Sequence, residues 1–185
     1  MNICIFPGTF NPIHAGHLKM ADFALKEFGF DKIVFIPAYI PPHKDINKNL
    51  ALHRYNMVKL AIAENSKFAI SDIEYRSEGK SYSLITVKKI IDEYNLKNKL
   101  NFIIGTDAFK NIKTWFHTEE LSKLVHFIVF PRGEDIINAE DFSDYSFEIV
   151  NMPKVDLSST DLRAKHGAGC NKKVEEYIKL NGLYD

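Results

Sequence analysis

Short apolar runs of strand character alternate with longer segments of helical apolar spacing along almost the whole chain, and that order restricts the fold more than any single residue does. NICIF reads as a short buried strand, and AGHLKMADFALKEFG behind it has helical periodicity and ends at Gly29, a C-cap signal. KIVFIP is a second strand, followed by the helix ALHRYNMVKLAIAEN with Leu52, Tyr55, Val58 and Ile62 near one face. FAISD, SLITVKKIIDEY, LNFIIG, TEELSKL and VHFIVF continue as strand, helix, strand, helix and strand. FEIVN is a last strand candidate, and SSTDLRAK and KKVEEYIKLNGLY are closing helices. The alternation predicts an α/β fold, doubly wound, with a mostly parallel sheet and helices on both faces. No repeat, low-complexity run or linker divides residues 1–185, which predicts a single domain.

Composition removes several classes of function. Twenty-four Lys plus Arg against 24 Asp plus Glu leave a formal net charge of zero, so no whole-protein field draws the chain to nucleic acid or to an anionic membrane. Cys4 and Cys170 are too few for a disulfide framework or a thiolate metal site. The first residues lack a basic n-region with a long apolar core, and no apolar stretch approaches a membrane span. These features predict a soluble cytoplasmic protein.

In an open parallel sheet, ligands gather beyond the carboxyl ends of the strands, where helix N-termini present free N–H groups. GTFNPIHAGH, residues 8–17, falls at that edge behind the first strand. Gly8 permits a close backbone approach or a positive φ, and Pro12 stiffens the turn. His14 and His17 stand three apart, so they can share a face of the first helical turn and point at one bound group. Glycine, proline and paired histidines together read as an anion site rather than as a tight turn with two surface histidines.

GTFNPIHAGH resembles the HxGH signature of nucleotidyltransferases that join a phosphate-bearing substrate to a nucleotide, and LSSTDLR at 157–163 resembles their ISSTxxR motif. The two lie in the same order as in that superfamily, separated by most of a Rossmann-like sheet. PPHK at 41–44, GKSYS at 79–83, IGTD at 104–107, TWF at 114–116 and the terminal YIKLNGLY are similar to segments of bacterial nicotinate-nucleotide adenylyltransferases, and the similarity runs from Ile3 to Tyr184. The resemblance implies a nucleotidyltransferase of NAD biosynthesis that moves an adenylyl group from ATP to nicotinate mononucleotide and releases pyrophosphate. It implies ATP and the mononucleotide as small-molecule partners, Mg²⁺ entering with ATP, no nucleic acid or membrane partner, and room for a homo-oligomer. Pro7 stands where the nicotinate enzymes usually carry glycine, so PGTF is closer to pantetheine-phosphate adenylyltransferase, the alternative reading. Asn11 replaces the usual aspartate, and FPRGED at 130–135 departs from RPG, leaving Arg132 a secondary phosphate candidate. A catalytically silent nucleotide-binding protein is the alternative of another class, and the retained histidines, Lys44 and Arg163 argue against it.

The resemblance also implies roles for individual residues. His17 would meet the α-phosphate and His14 the phosphate chain, with Gly8, Thr9 and Phe10 contributing backbone contacts. Arg163 would grip the β- and γ-phosphates, and Ser159 and Thr160 would cap its helix and donate to phosphate. His43 and Lys44 follow two prolines and can reach into the cleft. Gly105 would admit the ligand to the backbone, and Asp107 can bind ribose hydroxyls or serve as an N-cap. Trp115 and Phe116 can form a stacking wall or pack into the core. Tyr82 and Ser83 start a helix whose free N–H groups can hold a carboxylate, although capping by Ser83 explains the same letters. No carboxylate cluster suggests a protein-bound metal. His53, His117, His126 and His166 read as surface or capping residues.

Overall fold

The structure is a computed structural model and describes residues 1–42, 47–77, 79–132, 136–152, 159–165 and 170–184. Six strands form one sheet: β1 (Ile3–Gly8), β2 (Lys32–Pro37), β3 (Phe68–Ile70), β4 (Leu100–Gly105), β5 (Val125–Phe130) and β6 (Phe147–Ile149). Their order is β3-β2-β1-β4-β5-β6, and every neighbouring pair is parallel. Central strand β1 sets Ile5 against Val34 on one side and Phe102 on the other. This is the Rossmann-like α/β arrangement that the alternation predicts.

Among the described residues, seven α-helices connect or cover the strands: α1 (Ala15–Glu27), α2 (Ala51–Ile62), α3 (Ser83–Glu93), α4 (Thr106–Phe109), α5 (Thr118–Leu124), α6 (Ser159–Ala164) and α7 (Lys172–Leu180). Successive strand residues point to opposite faces, so a sheet buried on both sides makes two cores from one set of strands. Cys4, Phe6, Ile33, Phe35, Ile103 and Ile128 meet Ala21 and Leu25 of α1, Val58 of α2 and Val174 of α7. Ile5, Val34, Phe102, Ile104 and Val129 meet Leu84, Val87 and Ile90 of α3 and Leu121 of α5 on the other face. Gly29, at φ +62, terminates α1 just past Phe28, where a left-handed residue ends a helix without a Cβ penalty.

Two details differ from the sequence reading. In α2 the buried side is Ala51, Arg54, Met57, Val58 and Ile62, while Leu52 is 64% exposed. The apolar periodicity misplaces that face because an arginine occupies one of its inward positions. Helix α4 was not anticipated, because its four residues are too few to show a period.

Gly8 ends β1, and its carbonyl accepts the Ala38 N–H at 2.9 Å, tying the exits of β1 and β2 together. Its φ is not in the left-handed region; a Cβ there would sit 2.8 Å from the Phe10 ring, which is itself 2% exposed between Phe6 and Phe35. The close approach that requires glycine is therefore internal packing. Gly8→Ala is expected to destabilise the fold by about 1–3 kcal/mol, read from urea unfolding, because the ring is packed against Phe6, Phe35 and His17 and must shift.

Candidate active site

Strand order reverses between β1 and β4: the chain leaves β1 for α1 on one face of the sheet and β4 for α4 on the other. Neighbouring connections therefore diverge and leave a crevice at the carboxyl edge, the usual place for a ligand in such sheets. A cavity of about 870 Å³ opens there, with Gly8 and Gly105 at the ends of its two bounding strands.

One side of the cavity is the turn from Thr9 to His14. Phe10 lies at φ +46, a conformation that costs a non-glycine residue about 1–2 kcal/mol, and it is held by edge-on contact with Phe6 and with the His17 ring at 5.1 Å. His14 is the N-cap of α1, and its backbone N–H donates to His17 Nδ1 at 3.2 Å. A neutral His17 then carries its proton on Nε2. The two rings lie 3.8 Å apart, while the His17 amide bonds the His14 carbonyl at 3.0 Å. Neither ring nitrogen of His14 has a hydrogen-bond partner among the described residues, although the side chain is 3% exposed and borders the cavity. Burial, reinforced by the Arg132 charge, lowers its pKa from the usual 6.5 to about 4, so the ring is neutral at pH 7.

Helix α6 and the chain's end clasp the same turn. Arg163 Nη1 donates to the Asn11 carbonyl at 2.7 Å, and Nη2 donates to Thr160 Oγ1 at 3.1 Å. Ser159 Oγ donates to the Pro12 carbonyl at 3.1 Å, and the Tyr184 hydroxyl donates to Asn11 Oδ1 at 2.7 Å. Part of the Arg163 fork and the Ser159 hydroxyl thus hold protein carbonyls in this state, where the sequence reading assigned them to phosphate. Arg163, Ser159 and Thr160 nevertheless border the cavity.

Across the crevice, Gly105 rather than Asp107 is the N-cap of α4. A Cβ on Gly105 would meet Asp107 Oδ1 at 2.6 Å, so this glycine accommodates the folded-back aspartate. Asp107 Oδ2 faces Arg132 Nη1 at 3.4 Å in an exposed pair, and Thr106 Oγ1 anchors the Arg132 backbone through both its N–H and its carbonyl.

The far end of the cavity is aromatic. Tyr82 is the N-cap of α3 and makes no side-chain cap bond; Ser83 is the first helical residue, so the capping reading of Ser83 does not hold. The Tyr82 and Phe116 rings stack at 4.5 Å and 29°, and Trp115 leans on Phe102 at 6.3 Å against the core. The paired wall is thus Tyr82 with Phe116, and Trp115 combines core packing with a place on the cavity. His43, Lys44 and His166 lie outside the described residues.

Three residues that sequence reasoning missed sit beneath the site. Arg54, fully buried, donates to the carbonyls of Thr9, Ala38 and Tyr39 at 2.9, 2.5 and 3.1 Å. Glu74 accepts the Tyr39 N–H at 3.2 Å and the Thr86 hydroxyl at 2.8 Å. Burial raises its pKa, opposed by hydrogen bonds from Ser81, Thr86 and the Tyr39 amide and by the Arg54 charge. Ser81 Oγ accepts the N–H groups of Tyr39 and Ile40, each at 3.0 Å. No local pattern in the sequence marks them, because each bonds backbone or side-chain groups far away in the chain.

No group of three or more His, Cys, Asp or Glu among the described residues is arranged to hold a metal ion. No helix among the described residues is long and apolar enough to cross a membrane.

A Rossmann-like sheet whose switch point carries a histidine pair in the first helical turn defines the nucleotidyltransferase class, and residues 5–165 match the cytidylyltransferase-like family. The probable nicotinate-nucleotide adenylyltransferase of Fusobacterium nucleatum is 38% identical, with 97% of each chain covered. That of Caldicellulosiruptor saccharolyticus is 34% identical, covering 100% of this chain and 99% of its own. The chain belongs to the nicotinate-nucleotide adenylyltransferase family, and it is an enzyme. The fold also matches the Plasmodium falciparum nicotinic acid mononucleotide adenylyltransferase complexed with NaAD, at TM-score 0.83 and 23% identity, over 100% of this chain and 97% of that one.

His14 yields a titration prediction. Its folded pKa lies below the unfolded value, so as pH falls the unfolded chain takes the proton first. The stability it contributes is present above pH 6.5 and is lost as pH falls from there toward about 4. An NMR titration of the ring in the free protein should show a neutral imidazole until pH nears 4. A midpoint near the ordinary histidine value would contradict the buried, unpartnered setting.

Proposed function

We propose that the protein transfers the adenylyl group of ATP to nicotinate mononucleotide, forming nicotinate adenine dinucleotide and pyrophosphate in NAD biosynthesis, and that it works in the cytoplasm. The observation that carries this reading is one cavity joining a histidine-bearing helix N-terminus at one end to an aromatic wall beside a second helix N-terminus at the other. The names of the relatives support nicotinate mononucleotide over phosphopantetheine, and the Plasmodium falciparum protein of the same fold was solved complexed with NaAD.

In the reaction, an oxygen of the mononucleotide phosphate attacks the α-phosphorus of ATP, and the bond between the α-phosphorus and its bridging oxygen to the β-phosphate breaks. The electron pair leaves on pyrophosphate. The nucleophile is already ionised at neutral pH, so no general base is needed. Catalysis then rests on alignment and on stabilising charge as it develops on phosphate oxygens. His17, with Nδ1 tied to the His14 amide, can aim Nε2–H at the α-phosphate. His14 meets the phosphate chain as a neutral donor whose pKa rises once anions arrive, and the N-terminus of α1 favours the same charge. Arg163 reaches the β- and γ-phosphates from its place on Asn11, with Arg132 as a further cation on the opposite rim. Mg²⁺ would enter with ATP, held by phosphate oxygens and water, and would neutralise charge on the phosphates. Of the residues lining the cavity, Gly8, Thr9 and Phe10 would meet the phosphates, Gly105 and Asp107 the ribose, and Trp115, Tyr82 and Phe116 the nicotinate ring. The first amides of α3, from Ser83 onward, are donors suited to the ring carboxylate.

Pyrophosphate release from ATP with nicotinate mononucleotide, nicotinamide mononucleotide and phosphopantetheine, compared side by side, tests the reading. A donor-only pocket should favour nicotinate over nicotinamide mononucleotide by about 10² or more in kcat/KM, since an amide would turn its own NH₂ toward donors. Comparable values for the two would refute that pocket, and turnover of phosphopantetheine alone would identify the other enzyme. His17→Ala should lower kcat by about 10² or more in a folded protein; wild-type kcat would remove His17 from the chemistry.

A further inference from the structure

The buried guanidinium of Arg54 is bound to three backbone carbonyls that belong to two different strand exits. Thr9 follows β1, and Ala38 and Tyr39 follow β2. In a trans peptide the C=O of one residue and the N–H of the next point in opposite directions. The structure obeys this twice on the β2 side. Ala38 gives its carbonyl to Arg54, and the next amide, Tyr39, goes to Glu74 Oε2 and Ser81 Oγ. Tyr39 gives its carbonyl to Arg54, and the next amide, Ile40, goes to Ser81 Oγ. Both peptide units are pinned at their two ends, with the cation on one side and the Glu74 and Ser81 acceptors on the other. The Ser81 N–H closes the set on the Ile40 carbonyl at 2.8 Å, and the Ser81 hydroxyl bonds Glu74.

The third unit, Thr9–Phe10, differs in one respect. Its carbonyl is on Arg54, so its N–H points away from Arg54, yet Phe10 N–H meets no acceptor among the described residues. Phe10 borders the cavity and holds φ +46, a strained state that the surroundings must impose. We propose that Arg54 is a positioning residue for adenylyl transfer: anchored through the Ala38–Ile40 segment to Glu74 and Ser81, it sets the Thr9–Phe10 peptide plane so that Phe10 N–H is presented to a nucleotide phosphate. Arg54 touches no substrate and acts through that one peptide. The inference rests on reading the cavity as the ATP site. A lysine cannot replace it, because a single ammonium lacks the planar fork that spans three fixed carbonyls.

The test uses Arg54→Lys in the full chain, with ¹⁵N-labelled protein titrated with ATP and steady-state kinetics for both substrates. In the wild type the Phe10 amide resonance should move downfield as ATP binds; in Arg54→Lys that response should be lost. The kcat should fall by about 10–100-fold while KM for the mononucleotide changes by less than about threefold. A merely structural arginine would lower the melting temperature and leave kcat per folded enzyme and the Phe10 response intact, and that result overturns the proposal. Should Arg54→Lys fail to fold, Ser81→Ala releases the same two β2-exit amides from the opposite side. It should weaken the Phe10 response and lower kcat by about tenfold; no change in either overturns the proposal equally. Wild-type protein that transfers no adenylyl group to any mononucleotide, yet shows an Arg54-dependent Phe10 response to ATP, would defeat the functional reading and leave the positioning role standing.

Discussion

Everything at this site depends on the reversal of strand order between β1 and β4. Parallel strands need crossovers, and crossovers of one hand place helices on opposite faces when the chain travels in opposite directions from the centre of the sheet. Helices α1 and α2 therefore pack on one core and α3 and α5 on the other, and the connections that leave β1 and β4 diverge above those two strands. Both strands end in glycine, and each glycine is occupied by the chain's own continuation, the Phe10 ring over Gly8 and the Asp107 carboxylate over Gly105. The crevice floor is thus closed by local packing, which shapes the cavity before any ligand arrives.

Beneath that floor lie the buried polar side chains of Arg54, Glu74 and Thr86. Isolating a guanidinium from water is costly, and Arg54 offsets that cost with three carbonyls and with Glu74 on the far side of the peptides it holds. Arg54 and Glu74 are not a direct ion pair; the Tyr39 residue lies between them, its carbonyl on one and its amide on the other. A hydrophobic pair of similar volume would pack there but would leave those peptide groups without partners. The polar network is therefore tied to the loop geometry that it holds.

The fold was largely legible in the sequence, because strands buried on both faces read as continuous apolar runs and their helices are long enough to show a period. KIVFIP, LNFIIG and VHFIVF coincide with β2, β4 and β5 to the residue. The errors have physical causes: TDAF is too short for periodicity, and a buried arginine breaks the apolar pattern that would have revealed the inward face of α2. Within the site, residue types announce chemistry only when their side chains act directly. His14 and His17 stand out by spacing, whereas Arg54 works through backbone carbonyls at positions 9, 38 and 39, a relation that no local pattern encodes. Ser159 and Arg163 show the converse, for their letters suggest phosphate contacts while their hydrogen bonds in this state go to Pro12 and Asn11.

That last difference bears on how such a site would gain rate rather than affinity. A cation already aimed at empty space would bind ground state and transition state alike, which lowers KM without raising kcat. Here His14 is held neutral by burial, and Arg163 rests on the Asn11 carbonyl at the turn that the phosphates would contact. On the proposed function, an arriving phosphate chain takes a hydrogen bond from the neutral His14 ring and competes for the Arg163 fork. Both responses strengthen with the negative charge presented, and that charge is greatest as pyrophosphate leaves. A turn held from below by Arg54 and from above by Ser159 and Tyr184 keeps its backbone in place while this happens, so the adjustment falls on hydrogen bonding rather than on backbone movement.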